Sequence, residues 1–231
     1  MVRMPVILQA RTGSSRLPSK VLKKILGKPM IYHIIERLKI PEESFVVLAI
    51  PDTEEDKILC ELADEYNIPC VKGSEDDVLS RYHKAGLKFP SDYYIRATAD
   101  NPLVDYESIP RLISYIKENK NIDYACEDKL PYGAAVEIFS RKALEISNKL
   151  AKEKGDREHV TLFIKKHPEL FNIAFPLAPE KLRHPELRIT VDYEKDFLFI
   201  KKIYEKYYKG SPISLSENIG NIIKEAMNEK K

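Results

Sequence analysis

Twelve consecutive residues near the start of the chain carry its most legible chemistry: Gln9-Ala-Arg-Thr-Gly-Ser-Ser-Arg-Leu-Pro-Ser-Lys20. Three cations (Arg11, Arg16, Lys20) and three hydroxyls (Thr12, Ser14, Ser15) surround Gly13. A glycine lets backbone N–H groups approach an anion closely. Hydroxyls donate hydrogen bonds to that anion, and cations offset its charge. The segment therefore describes a cradle for a polyphosphate. It has neither the GxxxxGK[ST] spacing of a Walker A loop nor the GxGxxG of a dinucleotide fingerprint. A solvated basic turn would use the same residue types, so the reading needs support elsewhere in the chain.

Two carboxylates offer it. Asp100, in Ala99-Asp-Asn-Pro, and Asp192, after Leu187-Arg-Ile-Thr-Val, each follow a strand-like run. If those strands lie close together, the two acids could share one Mg²⁺, which takes one or two carboxylates together with phosphate oxygens and waters. Either acid alone could equally be turn or helix-cap chemistry. In Gly73-Ser-Glu-Asp-Asp-Val-Leu-Ser-Arg81, Asp77 and Arg81 stand four apart and share a face if the segment is helical. Arg81 could donate to a ligand carbonyl and the acid could accept from a ligand amine; an ion pair at an acidic helix start is the alternative. Glu137 could accept from ligand hydroxyls, and Arg157 and His159 could pair with a ligand carboxylate or phosphate. Their plain alternatives are an outward strand residue and a capped helix start. His33, His83 and His184 are read as packing or solvent-facing.

These residues need elements to position them, and strand and helix signals alternate. Val6-Ile-Leu8 is a short apolar run of the kind a buried parallel strand shows. Met30, Ile31, Ile34, Ile35 and Leu38 recur at helical spacing, and Phe45 to Ile50 is the clearest strand. Asp52 or Thr53 can cap the next helix. Further strands are expected at 68–71 and 93–97, and helices over 76–87 and 106–117. Such an alternation implies right-handed βαβ units, a parallel sheet, and ligands at the carboxyl ends of its strands. The loops after Leu8, Val71 and Ala97 then share one edge. The second half is less regular, with strands expected at 134–139, 173–175 and 187–191 and helices from Arg141, over 158–166, 196–208 and 215–227. The fold class is α/β: a Rossmann-like three-layer sandwich with a mostly parallel sheet. It forms one domain over 1–231, with 124–185 expected as a subdomain inserted before the last core strand.

At the first loop the sequence resembles a known family. ILQARTGSSRLPSK, followed by VLKKILGKPMIYHIIERL, is similar to the opening of the cytidylyltransferases that activate acidic sugars. These include the CMP-ketodeoxyoctonate and CMP-acylneuraminate synthetases and an SpsF-like spore-coat polysaccharide branch, which is the nearest in pattern. The resemblance returns in order at GSEDDVLSRYHKA, IRATADNPLVD, GAAVEIFSRKAL, REHVT and LRITVDYEKD, so it spans nearly the whole chain. It implies the nucleotide-diphospho-sugar transferase type of the fold. The implied reaction is Mg²⁺-dependent transfer of a nucleoside monophosphate from CTP, or another triphosphate, to a sugar or sugar acid, releasing pyrophosphate. Arg11 and Lys20 are then catalytic. Leu8, Ala10, Gly13, Ser14, Arg16, Asp77 and Arg81 bind the nucleotide, Asp100 and Asp192 the metal, and Glu137, Arg157 and His159 the acceptor. A homodimer is implied as well, with Phe163, Leu170, Phe171 and Phe175 as interface or core. The longer acceptor motifs of the sugar-acid synthetases are not found in the middle third, so the acceptor stays open.

Composition removes other classes. Charged residues make up 32% and apolar residues 43% of the 231, a globular balance. A net charge of +2 leaves no footprint for nucleic acid. The lysines over 201–209 and the end Glu229-Lys230-Lys231 read as solvated faces, and Lys and Glu richness hints at heat tolerance. No apolar run approaches the ~20 residues of a membrane span, and the opening lacks a signal-peptide core. Cys60, Cys70 and Cys126 form no CxxC and are expected as buried thiols of a cytoplasmic protein. Three further readings stay open. An A-type glycosyltransferase would usually carry Asp-x-Asp where this chain has Asp100-Asn-Pro. A guanylyltransferase acting on a sugar phosphate would read a different base. A non-catalytic nucleotide sensor would not need Lys20, Asp100 and Asp192 together.

Overall fold

Apolar alternation builds one seven-stranded sheet in the computed structural model, which describes residues 3–229. Met1 and Val2, and the tail residues Lys230 and Lys231, lie outside the described residues. The first half runs β1 (Met4–Gln9), a 3-10 turn (Lys20–Leu22), a hairpin of β2 (Lys24–Ile25) and β3 (Lys28–Pro29), α1 (Met30–Leu38), β4 (Ser44–Pro51), α2 (Lys57–Glu65), β5 (Cys70–Gly73), α3 (Val78–Lys88), β6 (Tyr93–Thr98) and α4 (Ser108–Glu118). The second half adds β7 (Tyr124–Cys126), β8 (Glu137–Ser140), α5 (Arg141–Leu150), α6 (Lys154–Glu158), α7 (Leu162–Lys166), β9 (Ile173–Ala174), α8 (Glu194–Tyr207) and α9 (Leu215–Asn228).

The strand order is β5-β4-β1-β6-β8-β7-β9. β5, β4, β1 and β6 are parallel, β8 is antiparallel to both β6 and β7, and β9 is parallel to β7. Side chains alternate between two cores, as the two-residue period of a doubly covered sheet requires. Val6, Leu8, Val46, Leu48 and Ile50 pack with α1, α2, α4, α8 and α9. Ile7, Val47 and Ala49 pack with α3, α5 and α7. The fold is the expected three-layer α/β sandwich, and the four parallel strands bring Gln9, Gly73 and Thr98 to one edge.

Several local expectations are corrected. Residues 187–191 form no strand. Leu187, Ile189 and Val191 pack into the core, which explains their strand-like alternation. Their backbone, however, meets only loops: an isolated bridge joins Tyr132 to Arg188, and Val191 N–H donates to Asp100 O at 2.8 Å. Residues 124–185 add β7, β8 and β9 to the same sheet. The helix expected over 158–166 breaks at 159–161, where Thr161 Oγ1 donates to Glu137. α2 starts at Lys57 and not after Asp52, because Thr53 Oγ1 donates to Asp56 Oδ2 at 2.8 Å and holds the preceding turn.

The cysteine expectation is also overturned. Cys60 and Cys70 form a disulfide joining α2 to β5, their Cα atoms 5.6 Å apart. No local spacing signals it, because α2 packing beside β5 creates the proximity. Intracellular disulfides occur in proteins of hyperthermophiles, which agrees with the Lys- and Glu-rich composition. Cys126 is the free cysteine. Burial, aided by the charge on Glu137, pushes its thiol up to about 12, away from the thiolate form. Reduction is expected to remove about 2–4 kcal/mol of stability for a loop of this size. Urea unfolding with and without reductant measures it, and an unmoved midpoint would mean that the bond does not form.

Candidate active site

The first loop leaves β1 and is pinned from below. Asp56, at the start of α2, accepts from Thr12 N–H at 2.6 Å and from Thr12 Oγ1 at 3.0 Å. Ser19 N–H donates to Thr12 O at 3.1 Å and closes the loop. Ala10, Arg11, Gly13, Ser14, Arg16 and Lys20 all line one cavity of about 900 Å³. A Cβ at Gly13 would meet no protein atom within 4 Å. Protein packing therefore does not require glycine there, and the bare backbone faces open cavity. Leu8 is corrected: its side chain is fully buried in the core, and its neighbour Gln9 lines the cavity instead.

The two distant acids meet at one ammonium. Lys20 Nζ donates to Val191 O at 2.7 Å and stands 3.5 Å from Asp100 Oδ2 and 3.7 Å from Asp192 Oδ1. Asp100 Oδ1 accepts from Thr98 Oγ1 at 2.6 Å. Asp192 Oδ1 accepts from Arg16 at 2.7 Å, and its Oδ2 accepts from Arg188. Among the described residues no third His, Cys, Asp or Glu completes a metal cluster. Two carboxylates beside an anion loop still suit Mg²⁺, which would take its other ligands from phosphate and water.

Arg81 is the most unusual side chain of the cavity. It is 3% exposed, and neither Nε nor Nη1 has a hydrogen-bond partner among the described residues. Burial pulls its pKa down. A Cβ at Gly73 would stand 2.7 Å from Arg81 Cγ, so the glycine at the end of β5 makes its room. A buried guanidinium without partners is costly, and one lining a cavity points to a ligand acceptor.

Asp77 and Arg157 are corrected. Asp77 is the N-cap of α3, accepting from Ser80 N–H at 2.9 Å, and it also accepts from Arg157 Nε at 2.9 Å. Arg157 Nη1 donates to Asn148 O at 2.8 Å. The pair ties α6 to α3, and neither residue lines the cavity; the acids that do are their neighbours Glu75, Asp76 and Glu158. His159 and Glu137 line it.

A family profile described as cytidylyltransferase matches residues 5–219. The chain belongs to the cytidylyltransferase family. The spore coat polysaccharide biosynthesis protein SpsF of Bacillus subtilis is 34% identical over 221 residues, covering 92% of this chain and 91% of that one. An uncharacterized protein of Methanocaldococcus jannaschii is 38% identical over 192 residues, covering 83% and 79%. The 3-deoxy-manno-octulosonate cytidylyltransferase of Polynucleobacter necessarius is 29% identical over 213 residues, covering 90% and 77%. A solved cytidylyltransferase from Leptospira borgpetersenii shares the fold with a TM-score of 0.90 at 24% identity, covering 98% of this chain and 96% of that one.

This cytidylyltransferase has a polar cavity floor that sequence reading recovered only in part. Glu137, on β8, faces Arg96 across the β6–β8 pair. It accepts from Tyr124 Oη at 2.6 Å, Thr161 Oγ1 at 3.0 Å and Lys165 Nζ at 2.9 Å. Arg96 Nε donates in turn to Gln9 at 3.2 Å. Arg96 reads as an ordinary strand residue until β8 is known to lie beside it. Burial alone would raise the Glu137 pKa, but Arg96, Lys165 and the Tyr124 hydroxyl outweigh it and hold the carboxyl at about 2. A depressed carboxyl stabilises the fold above its unfolded value of 4.5, and that contribution is lost as pH falls towards about 2. Glu137→Gln is expected to cost about 3–5 kcal/mol at neutral pH and to flatten the stability profile across that window. Chemical denaturation at a series of pH values checks both, and an unchanged profile would show that the network contributes nothing.

Proposed function

We propose that this cytidylyltransferase transfers CMP from CTP to a sugar acid and releases pyrophosphate, with Mg²⁺ as cofactor. The observation that carries the reading is the placement of Lys20 between Asp100 and Asp192 beside the Gly13 loop. An acceptor hydroxyl attacks the α-phosphorus and gives its proton to water, a new P–O bond forms, and the bond from the α-phosphorus to the bridging β-phosphate oxygen breaks. Lys20 and Arg11 stabilise charge growing on the leaving pyrophosphate, and Arg16 holds the outer phosphates. Asp100 and Asp192 would hold Mg²⁺, which supplies further charge neutralisation at the phosphates. The unpaired nitrogens of Arg81 donate to acceptor atoms of the base, and cytosine offers O2 and N3. His159 and the Glu137–Arg96 floor face the acceptor.

Thermal shifts with a panel of nucleoside triphosphates and Mg²⁺ test this. CTP should give the largest rise, since a ligand at a hundred times its Kd adds about 2.7 kcal/mol. A larger response to GTP would favour a guanylyltransferase. A response confined to nucleoside diphosphate sugars would favour a glycosyltransferase.

A homodimer is part of the proposal. Phe163 and Phe171 are buried core residues, but Leu170, Phe175 and Leu177, which flank the edge strand β9, are 41%, 56% and 58% exposed. Exposed apolar edges seek partners. Light scattering at micromolar concentration should give twice the chain mass, and a monomer would refute the pairing. The cytoplasm remains the proposed compartment because nucleoside triphosphates are supplied there; the disulfide removes the argument from free thiols.

A further inference from the structure

Asp192 is matched by more positive charge than one carboxylate needs. Arg16 and Lys20 stand at its Oδ1, at 2.7 and 3.7 Å, and Arg188 at its Oδ2. The carboxylate is only 11% exposed, so water does little to screen these contacts. Lys20 is shared with Asp100 and with Val191 O, which leaves the two arginines as the principal partners of Asp192.

The arginines differ in how they are held. Arg188 is braced on three sides. Its guanidinium lies 5.0 Å from the Tyr132 ring centroid and 3.6 Å from Asp196 Oδ2, and its backbone is bridged to Tyr132. Asp196 is itself fixed, because its Oδ2 accepts from the N–H groups of Asp192 and Tyr193 at 2.9 Å. Arg16 sits on the phosphate loop with a side chain 54% exposed. Its second support is the Tyr193 ring at 5.3 Å; Tyr193 and Tyr132 are both exposed, at 46% and 60%, and Arg188 is 41% exposed, so what sets Arg188 apart is its second carboxylate, Asp196.

Arg16, at 2.7 Å the nearest cation to Asp192 Oδ1 with Lys20 at 3.7 Å, occupies the place a divalent cation would take there, so that cation binds well only when Arg16 leaves. A polyphosphate on the loop gives Arg16 a better partner, since guanidinium binds phosphate through two parallel hydrogen bonds. We propose that Arg16 is an exchanging counterion: it neutralises Asp192 until a polyphosphate draws it away, so that cation binding at Asp192 is conditional on nucleotide. Arg188 stays on Oδ2 throughout and is a positioning residue that keeps the carboxylate aimed at the cleft. The inference rests on the nucleotidyl-transfer reading and adds an order of events to it. Cation alone is excluded, polyphosphate enters first or together with the cation, and Asp192 is never left without a positive partner.

The test is Mn²⁺ binding to the full chain without nucleotide, read from the electron paramagnetic resonance of free Mn²⁺. Arg16→Gln, on an exposed side chain, removes the covering charge with little risk to folding. It is expected to bind Mn²⁺ at least ten-fold more tightly than the unaltered protein, and Asp192→Asn in the same background should abolish the gain. Wild-type protein that binds Mn²⁺ as tightly as the Arg16→Gln variant would overturn the exchange. A gain that survives Asp192→Asn would do the same, because the cation would then lie elsewhere. Calorimetry of CTP binding without metal separates the two ideas: binding of CTP with no Arg16 effect sinks the exchange alone, whereas no binding of CTP under any condition sinks the nucleotide reading beneath it.

Discussion

Lys20→Met is expected to slow pyrophosphate release by about 10²–10³-fold, the usual cost of removing one group preorganised at developing charge. Methionine keeps the length and apolar stem, so the change is mainly one of charge. The Lys20 side chain is 13% exposed, and its ammonium is fixed by Val191 O on one side and two carboxylates on the other. It needs no rearrangement to meet charge on the phosphates, which is why its loss should fall on the rate more than on CTP affinity. Single-turnover measurements separate the two. A loss below ten-fold would assign Lys20 to holding Val191 and the acids together, with no part in the reaction.

Arg81→Met should move stability and affinity in opposite directions. The buried guanidinium leaves Nε and Nη1 unsatisfied, so replacing it with an apolar chain is expected to raise the unfolding free energy by about 1–3 kcal/mol. The same change removes charged donors to the base, each charged hydrogen bond being worth about 1.5–3 kcal/mol. CTP binding should weaken by one to two orders of magnitude, and preference among bases should shrink. Residues kept for function at a cost in stability behave this way. A variant that is less stable and binds CTP normally would make Arg81 a packing residue. Urea unfolding and calorimetric titration of CTP decide between the outcomes.

The sheet was legible because each strand carries its own signal. Val6 to Leu8 and Phe45 to Ile50 are continuous apolar runs, the mark of strands covered on both faces. The loop at Gly13 was legible because its anion-binding residues are consecutive. What sequence hid depends on tertiary pairing. Leu187, Ile189 and Val191 alternate like a strand, but their backbone meets loops near Asp100 and Tyr132. The acid nearest Arg81 in sequence points away from the cavity: Asp77 turns back to cap α3 and grip Arg157, whereas Glu75 and Asp76 face the cavity with Arg81. Arg96 and Cys70 acquire partners only once β8 and α2 are laid beside them. Arg188, four residues before Asp192, gave no local signal either, because that spacing pairs side chains on a helix and this segment reads as extended.

In the proposed reaction the Gly13 loop and the Asp100–Asp192 pair hold a nucleoside triphosphate whose α-phosphate is attacked by an acceptor hydroxyl. The direct measurement is mass-spectrometric product analysis after incubation with CTP, Mg²⁺ and a panel of sugar acids that includes 3-deoxy-manno-octulosonate. A CMP–sugar acid and pyrophosphate formed in equal amounts, both lost in Asp100→Asn, is the predicted result. Intact CTP alongside consumption of a nucleoside diphosphate sugar would contradict it.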